Sequence, residues 1–258
     1  MKTNRRDYDL IVSLGGNCGV AAQIAHRGLR HCSLPLDWAL MDSEKPLKML
    51  PELLFTRFAG FCMYENMFEY RAPAKEHGVR MCQLEDKYSG YRMIHSFPAP
   101  FADRDKYESN LAVLKRRIER MYTLVSKAKN ILFVLSTGFE FDSGLLDGVY
   151  AALNKTFPDV VVELSSMQFA AHNCEEFDIL DGQGHVMRVE RAFHTIYDVQ
   201  FTAPEWGWLD GVGISGAVDP VAMRKRTLKT KFAYKMWVSL GKFLERSNTG
   251  CANMRFVR

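Results

Sequence analysis

Apolar residues recur along this chain with two spacings. Short unbroken runs stand at residues 9–14 ("DLIVSL"), 131–136 ("ILFVLS") and 159–165 ("DVVVELS"). Runs of that length, bounded by turn residues, predict strands buried on both faces. Between them the spacing becomes helical. Val20, Ile24 and Leu29 predict a helix over 18–29, with Gly28 near its end. Leu47, Leu50, Leu53, Leu54 and Phe58 predict another over 46–58. The clearest stripe is Leu111, Leu114, Ile118, Met121 and Val125, with Lys115, Arg116, Glu119 and Arg120 off it. That is the pattern of an amphipathic surface helix. A further helix is expected at about 143–155.

Other stretches read less regularly. "CSLPLDWALM" (32–41) predicts a short extended piece after Pro35. Residues 61–101 are rich in aromatics. Within them "VRMCQLEDKYSGYRMIHSF" predicts two strands joined through "KYSG", the second ending at His95. Gly, Trp and Asp make "PEWGWLDGVGISG" a long ordered loop. "DPVAM" opens a last helix, about 220–246, with Asp219 as N-cap and Pro220 at its first position. Strand, helix, strand, helix, strand with unbroken apolar strands predicts an α/β fold. We expect a three-layer core, its parallel sheet covered by helices on both faces, with an aromatic-rich hairpin insertion. One domain over 1–258 suits the length.

Composition is that of a globular protein: 47% hydrophobic and 25% charged. The N-terminus lacks the long apolar region of a signal peptide, and no run reaches the length of a membrane helix, so a cytoplasmic location is expected. The net charge of +4 is uneven. From Val221 onward ten Lys or Arg stand against a single acid, Glu245, so the residues before it are net acidic. The C-terminal helix could meet an anionic partner or be a solvated face. No nucleic-acid motif, Walker A or His-Glu-x-x-His sequence occurs, and "LGGNCG" does not match the dinucleotide fingerprint. No metal and no cofactor are expected.

The six cysteines have no zinc or redox spacing and are expected as free thiols. Cys18 has a special position, in the turn after a core strand and in the first turn of a helix. Ligands of open α/β sheets bind beyond strand C-termini. Free amides and the helix dipole there favour a thiolate and could stabilise an oxyanion. Gly15 and Gly16 would let the backbone approach, and Asn17 could add a donor. A buried structural cysteine is the competing reading. A thiolate nucleophile calls for a histidine. Of seven, His95 is distinctive because it ends a predicted strand before the turn "SFPAPF".

"SLGGNCGVAAQIAHRGLRHCSLPLDWAL" resembles the opening of a bacterial family of "putative papain-like cysteine peptidases", first defined as a domain of unknown function. The matching residues are Ser13, Leu14, Gly15, Cys18, Gly28, Leu29, Arg30, Ser33, Pro35, Asp37 and Trp38, with Leu36 in place of Phe. A second block is similar at His95, Phe97, Lys106, Tyr107, Arg116, Arg117 and Leu132 to Val134. The resemblance covers about 9–140. It implies Cys18 as nucleophile and His95 as base, acting on a peptide or other acyl substrate. Gly16, Asn17 and Trp38 are then candidates for oxyanion or substrate contacts. Ser96 stands where an acid is expected, which leaves Asp37 as candidate third group. The resemblance also implies an alternative fold, papain-like α+β. A strand, a glycine turn with the nucleophile and a helix also look like the first block of SGNH-type esterases, which implies an acyl-ester hydrolase or acyltransferase acting on a glycan. The late Asp-x-x-His of those enzymes is absent. A non-enzymatic binding module using the basic C-terminal helix is the third possibility.

Overall fold

The computed structural model describes residues 6–30, 32–76, 79–137, 139, 141–168, 176–180, 186–190 and 209–215. The C-terminal helix expected at 220–246 lies outside them. β1 (Arg6–Tyr8) leads into β2 (Leu10–Ser13), α1 (Cys18–His26), β3 (Ala39–Leu40) and α2 (Lys45–Phe55). β4 (Met67–Glu76), β5 (Val79–Asp86) and β6 (Arg92–Met93) follow, then α3 (Arg104–Val125), β7 (Asn130–Thr137), α4 (Ser143–Thr156) and β8 (Val161–Gln168). β9 (Glu176–Leu180), β10 (Val186–Glu190) and β11 (Val212–Ile214) complete the described elements. None of the described helices is long and apolar enough to cross a membrane.

β2, β7 and β8 pair in parallel, with β7 central. Alternate residues of a strand face opposite sides, and here they join different clusters. Leu10, Val12, Leu14, Ile131, Phe133 and Leu135 pack with residues of α2, α3 and α4, among them Leu50, Leu114 and Val149. Ile11, Leu132 and Val134 pack with Val20, Ile24 and Leu29 of the α1 segment. The strands are apolar throughout because each side must be covered. Every such side chain removed from water contributes roughly 1.5–3 kcal/mol.

The architecture is thus a mixed helix and strand fold, compatible with α/β, but two expectations need correction. The main sheet has five strands and is not wholly parallel, since β9 pairs antiparallel with β8 and β10 with β9. Few residues separate β9 from β10, too few for a parallel crossover. The hairpin insertion is a separate four-stranded antiparallel sheet, ordered β3-β6-β5-β4. The second strand of the predicted hairpin stops at Met93, so His95 lies beyond it. "CSLPLDWALM" forms a turn at 35–38 before β3 rather than one extended piece. Part of "PEWGWLDGVGISG" is a strand, β11, which pairs parallel with β1.

Local chemistry sets the helix ends. Asp103 and Asp142 accept first-turn amides of α3 and α4. α1 ends on Gly28 (φ 72°), with Leu29 N–H donating to Ile24 O and Gly28 N–H to Ala25 O. This is a Schellman closure. Gly16 is the tightest backbone position. Its φ is 110°, and a Cβ built there would lie 1.4 Å from Ser136 O. Gly16→Ala is therefore expected to destabilise the fold by at least about 3 kcal/mol. Gly28→Ala, with open space around it, is expected to cost only about 1–2 kcal/mol. Urea unfolding of both variants checks this, and equal costs would contradict it.

Asp9 is buried at the entry to β2, where it accepts the Lys129 N–H at 2.7 Å and the Ser215 hydroxyl. Burial works to raise its carboxyl, but Ser215 and the Lys129 and Asn130 amides outweigh it and hold the group below the usual carboxylate range. A depressed folded value means stabilisation that is complete above the ordinary carboxylate range and lost as pH falls through the folded value. Asp9→Asn should cost about 2 kcal/mol near neutrality. That difference should shrink in acid, as followed by denaturant midpoints against pH.

Candidate active site

Cys18 is the first residue of α1, half-buried, and follows the C-terminal end of β2. The turn before it is pinned from two sides. Ser13 Oγ accepts the Gly15 N–H, and Ser136 N–H donates to Gly15 O. Gly16 N–H donates to Ala39 O at 3.1 Å, and Met41 N–H donates to Gly16 O at 3.0 Å. Both polar backbone groups of Gly16 are thereby engaged, so Gly16 contributes shape, not an oxyanion donor. Asn17 is the N-cap, its extended backbone placing Oδ1 2.8 Å from Gly19 N. Its carbonyl oxygen is thus engaged and its Nδ2 group is the donor that remains. The amide nearest the sulfur in sequence is that of Cys18 itself, at the N-terminus of α1.

The loop from Arg30 to Ala39 forms one wall. Asp37 is 3% exposed, and its Oδ2 accepts the Leu34 N–H at 2.9 Å and a fork of bonds from Arg30. Burial pushes the Asp37 carboxyl up, and Arg30 and the Leu34 amide oppose that. A buried carboxylate with these partners fastens a turn. Sequence reasoning cast Asp37 as the third catalytic group, but the partners that hold it are Arg30 and Leu34. Its neighbour Trp38 meets His95: the rings lie 5.8 Å apart, edge to face at 76°. Arg30 also covers the Trp38 ring at 5.4 Å.

His95 is half-buried in the bend after β6. Its segment is gripped on both sides. Upstream, β6 pairs with β3 (Ala39↔Met93), and the Tyr91 hydroxyl donates to Leu14 O at 3.2 Å. Downstream, Phe97 O accepts the Cys82 N–H at 2.8 Å and Phe97 stacks on Tyr107 at 4.5 Å. β3 thus lies between the turn that carries Cys18 and the segment that carries His95. Ser96 Oγ is buried without a hydrogen-bond partner, so it does not replace the expected acid as a partner of the imidazole. Cys18, Cys32, Cys62 and Cys82 are free thiols, as expected. Cys174 and Cys251 lie outside the described residues. Sequence reasoning gave no role to Tyr91 or Arg30, although Arg30 stood within the quoted motif. A tyrosine between a hairpin turn and a short strand was its only other signal.

Asp37→Ala leaves Arg30 without its carboxylate and the Leu34 amide without an acceptor. A cost of about 3 kcal/mol is expected, with Arg30→Met in the same chain recovering part of it. A double-mutant cycle in urea measures the coupling, and additive costs would contradict the lock.

Residues 9–156 match the family model described as "Putative papain-like cysteine peptidase (DUF1796)". The chain is also 27% identical over 143 residues to "Uncharacterized protein R408" of Acanthamoeba polyphaga mimivirus. That alignment takes in 48% of this chain and 60% of the relative, so the match spans less than two thirds of the relative's length. No solved structure matches. The relative is viral, and nothing in these comparisons supports the bacterial origin that the resemblance implied. With its Cys18 turn, its Trp38 loop and its His95 segment all inside the matched region, the chain belongs to the DUF1796 family of putative papain-like cysteine peptidases.

Proposed function

We propose that this chain is a cysteine-dependent hydrolase, a peptidase in the sense of its family, with Cys18 as nucleophile and His95 as base. The observation that carries the reading is the placement of Cys18. It opens a capped helix directly after a parallel strand, in a turn bonded to the segment whose Trp38 meets His95. His95 takes the proton from Sγ, and Sγ bonds to the acyl carbon. The carbonyl oxygen receives the displaced electron pair, next to the Cys18 amide. Collapse of this adduct expels the leaving group, which takes the proton back from the imidazolium. Water, deprotonated by His95, then cleaves the thioester. Trp38 supplies the apolar wall beside the reacting groups, and Asp37 holds that wall through Arg30.

One observation favours a second reading. The nucleophile follows a parallel strand instead of standing on a long central helix, which suits acyl-ester hydrolysis or transfer by the same cysteine.

Alkylation by iodoacetamide tests the nucleophile. Mass-mapped labelling of wild type and His95→Ala is compared at about pH 6.5 and about pH 8.5, the range in which an ordinary thiol ionises. Wild-type Cys18 should react at the lower pH at least about tenfold faster than a free thiol of the same solution, and His95→Ala should lose that advantage. A wild-type rate that rises only as an ordinary thiol's does would overturn the reading.

A further inference from the structure

Three guanidinium groups gather around one carboxylate beside this site. Arg30 forks onto Asp37 and reaches Ser33 Oγ at 3.2 Å. Arg120, on α3, donates to Ser33 O at 3.0 Å. Arg117 lies three residues earlier on α3, so its side chain shares that helix face. It is half-buried, is attracted by Asp37 and is repelled by Arg30 and Arg120. Among the described residues no hydrogen bond or ion pair ends on it. Glu119, on the same helix, pairs with Arg57. Among the described residues the cluster therefore holds three positive charges against one negative. Like charges in a half-buried position repel, and an anion brought from outside relieves that cost. An arginine fork fits a carboxylate through two parallel N–H···O bonds. The cluster also adjoins the reacting groups, because Arg30 lies over the Trp38 ring that meets His95.

Building on the hydrolase reading, we propose that Arg30, Arg117 and Arg120 form a subsite for a carboxylate of the substrate. The peptide or acyl chain cleaved at Cys18 then carries a negative charge near the scissile bond. Arg117 supplies the open fork, and Arg30 and Arg120 supply the surrounding positive potential.

Two small electrophiles read this out in the full chain. Iodoacetate presents a carboxylate and iodoacetamide its neutral counterpart, and both alkylate the same sulfur. The ratio of their rates at Cys18, mapped by mass spectrometry, should favour iodoacetate in wild type relative to a free thiol. Arg117→Gln should lower the ratio about fivefold, and Arg117→Lys, which keeps the charge but loses the fork, should restore only part of it. A ratio equal in wild type and Arg117→Gln would overturn the subsite. Failure of the hydrolase reading looks different: Cys18 is then slow with both reagents. In that case the subsite is tested alone, by acetate titration of the arginine Nε–H signals. A saturable shift of the Arg117 signal, mirrored by no such binding in Arg117→Gln, supports the carboxylate site. No response to acetate, or a response to inorganic phosphate alone, overturns it.

Discussion

The contact between the Gly16 backbone and the Ser136 carbonyl is the constraint on which the rest depends. No side chain fits there, and the left-handed φ of both Gly15 and Gly16 turns the chain sharply off the end of β2. That turn does two things at once. It starts α1 with Cys18 at its first position, and it exposes the Gly16 backbone to β3. The bonds to Ala39 and Met41 then tie the four-stranded antiparallel sheet to the mixed main sheet. Tyr91 strengthens the same junction from the other side through Leu14. The elements that carry Cys18, Trp38 and His95 thus meet at a point set by backbone packing, before any side-chain chemistry is considered.

Charge gives the second level of order. Asp37 is buried, and a carboxylate there is tolerable only with partners. Arg30 and the Leu34 amide supply them, and the same arginine lies over Trp38. The loop is therefore held by one ionic group and presents one aromatic ring. The partners of Asp37 are those of a group that shapes the loop, and the proposed chemistry draws on Cys18 and His95 alone. The arrangement also leaves positive charge in excess, because α3 adds two arginines and no acid to the cluster.

Much of this was legible in the sequence. The apolar runs at 9–14 and 131–136 and the stripe from Leu111 to Val125 appear as β2, β7 and α3, because burial on both faces or on one face leaves an unambiguous period. The special position of Cys18 was legible for the same reason, since a strand and a helix bracket it. The insertion was less so. β4 pairs with β5 through register shifts, and an irregular strand carries no clean alternation. β3 and β6 have two residues each, too few for any period, so the end of the strand before His95 was misjudged. The direction of β9 and β10 depends on connection length and on edge pairing, neither of which hydrophobicity encodes. Asp37 and Arg30 lie seven residues apart in a loop, and their pairing follows from the fold alone.

The most direct measurement of the central claim is a proximity test with chemical specificity. 1,3-Dibromoacetone carries two alkylating carbons flanking a carbonyl. A thiolate takes the first, and a nitrogen within reach takes the second. If Cys18 and His95 act as nucleophile and base, digestion and mass spectrometry will find their two peptides joined, and His95→Ala will yield only the single Cys18 adduct. A Cys18 adduct in wild type that is hydrolysed or joined to another residue, with no link to His95, would contradict the account.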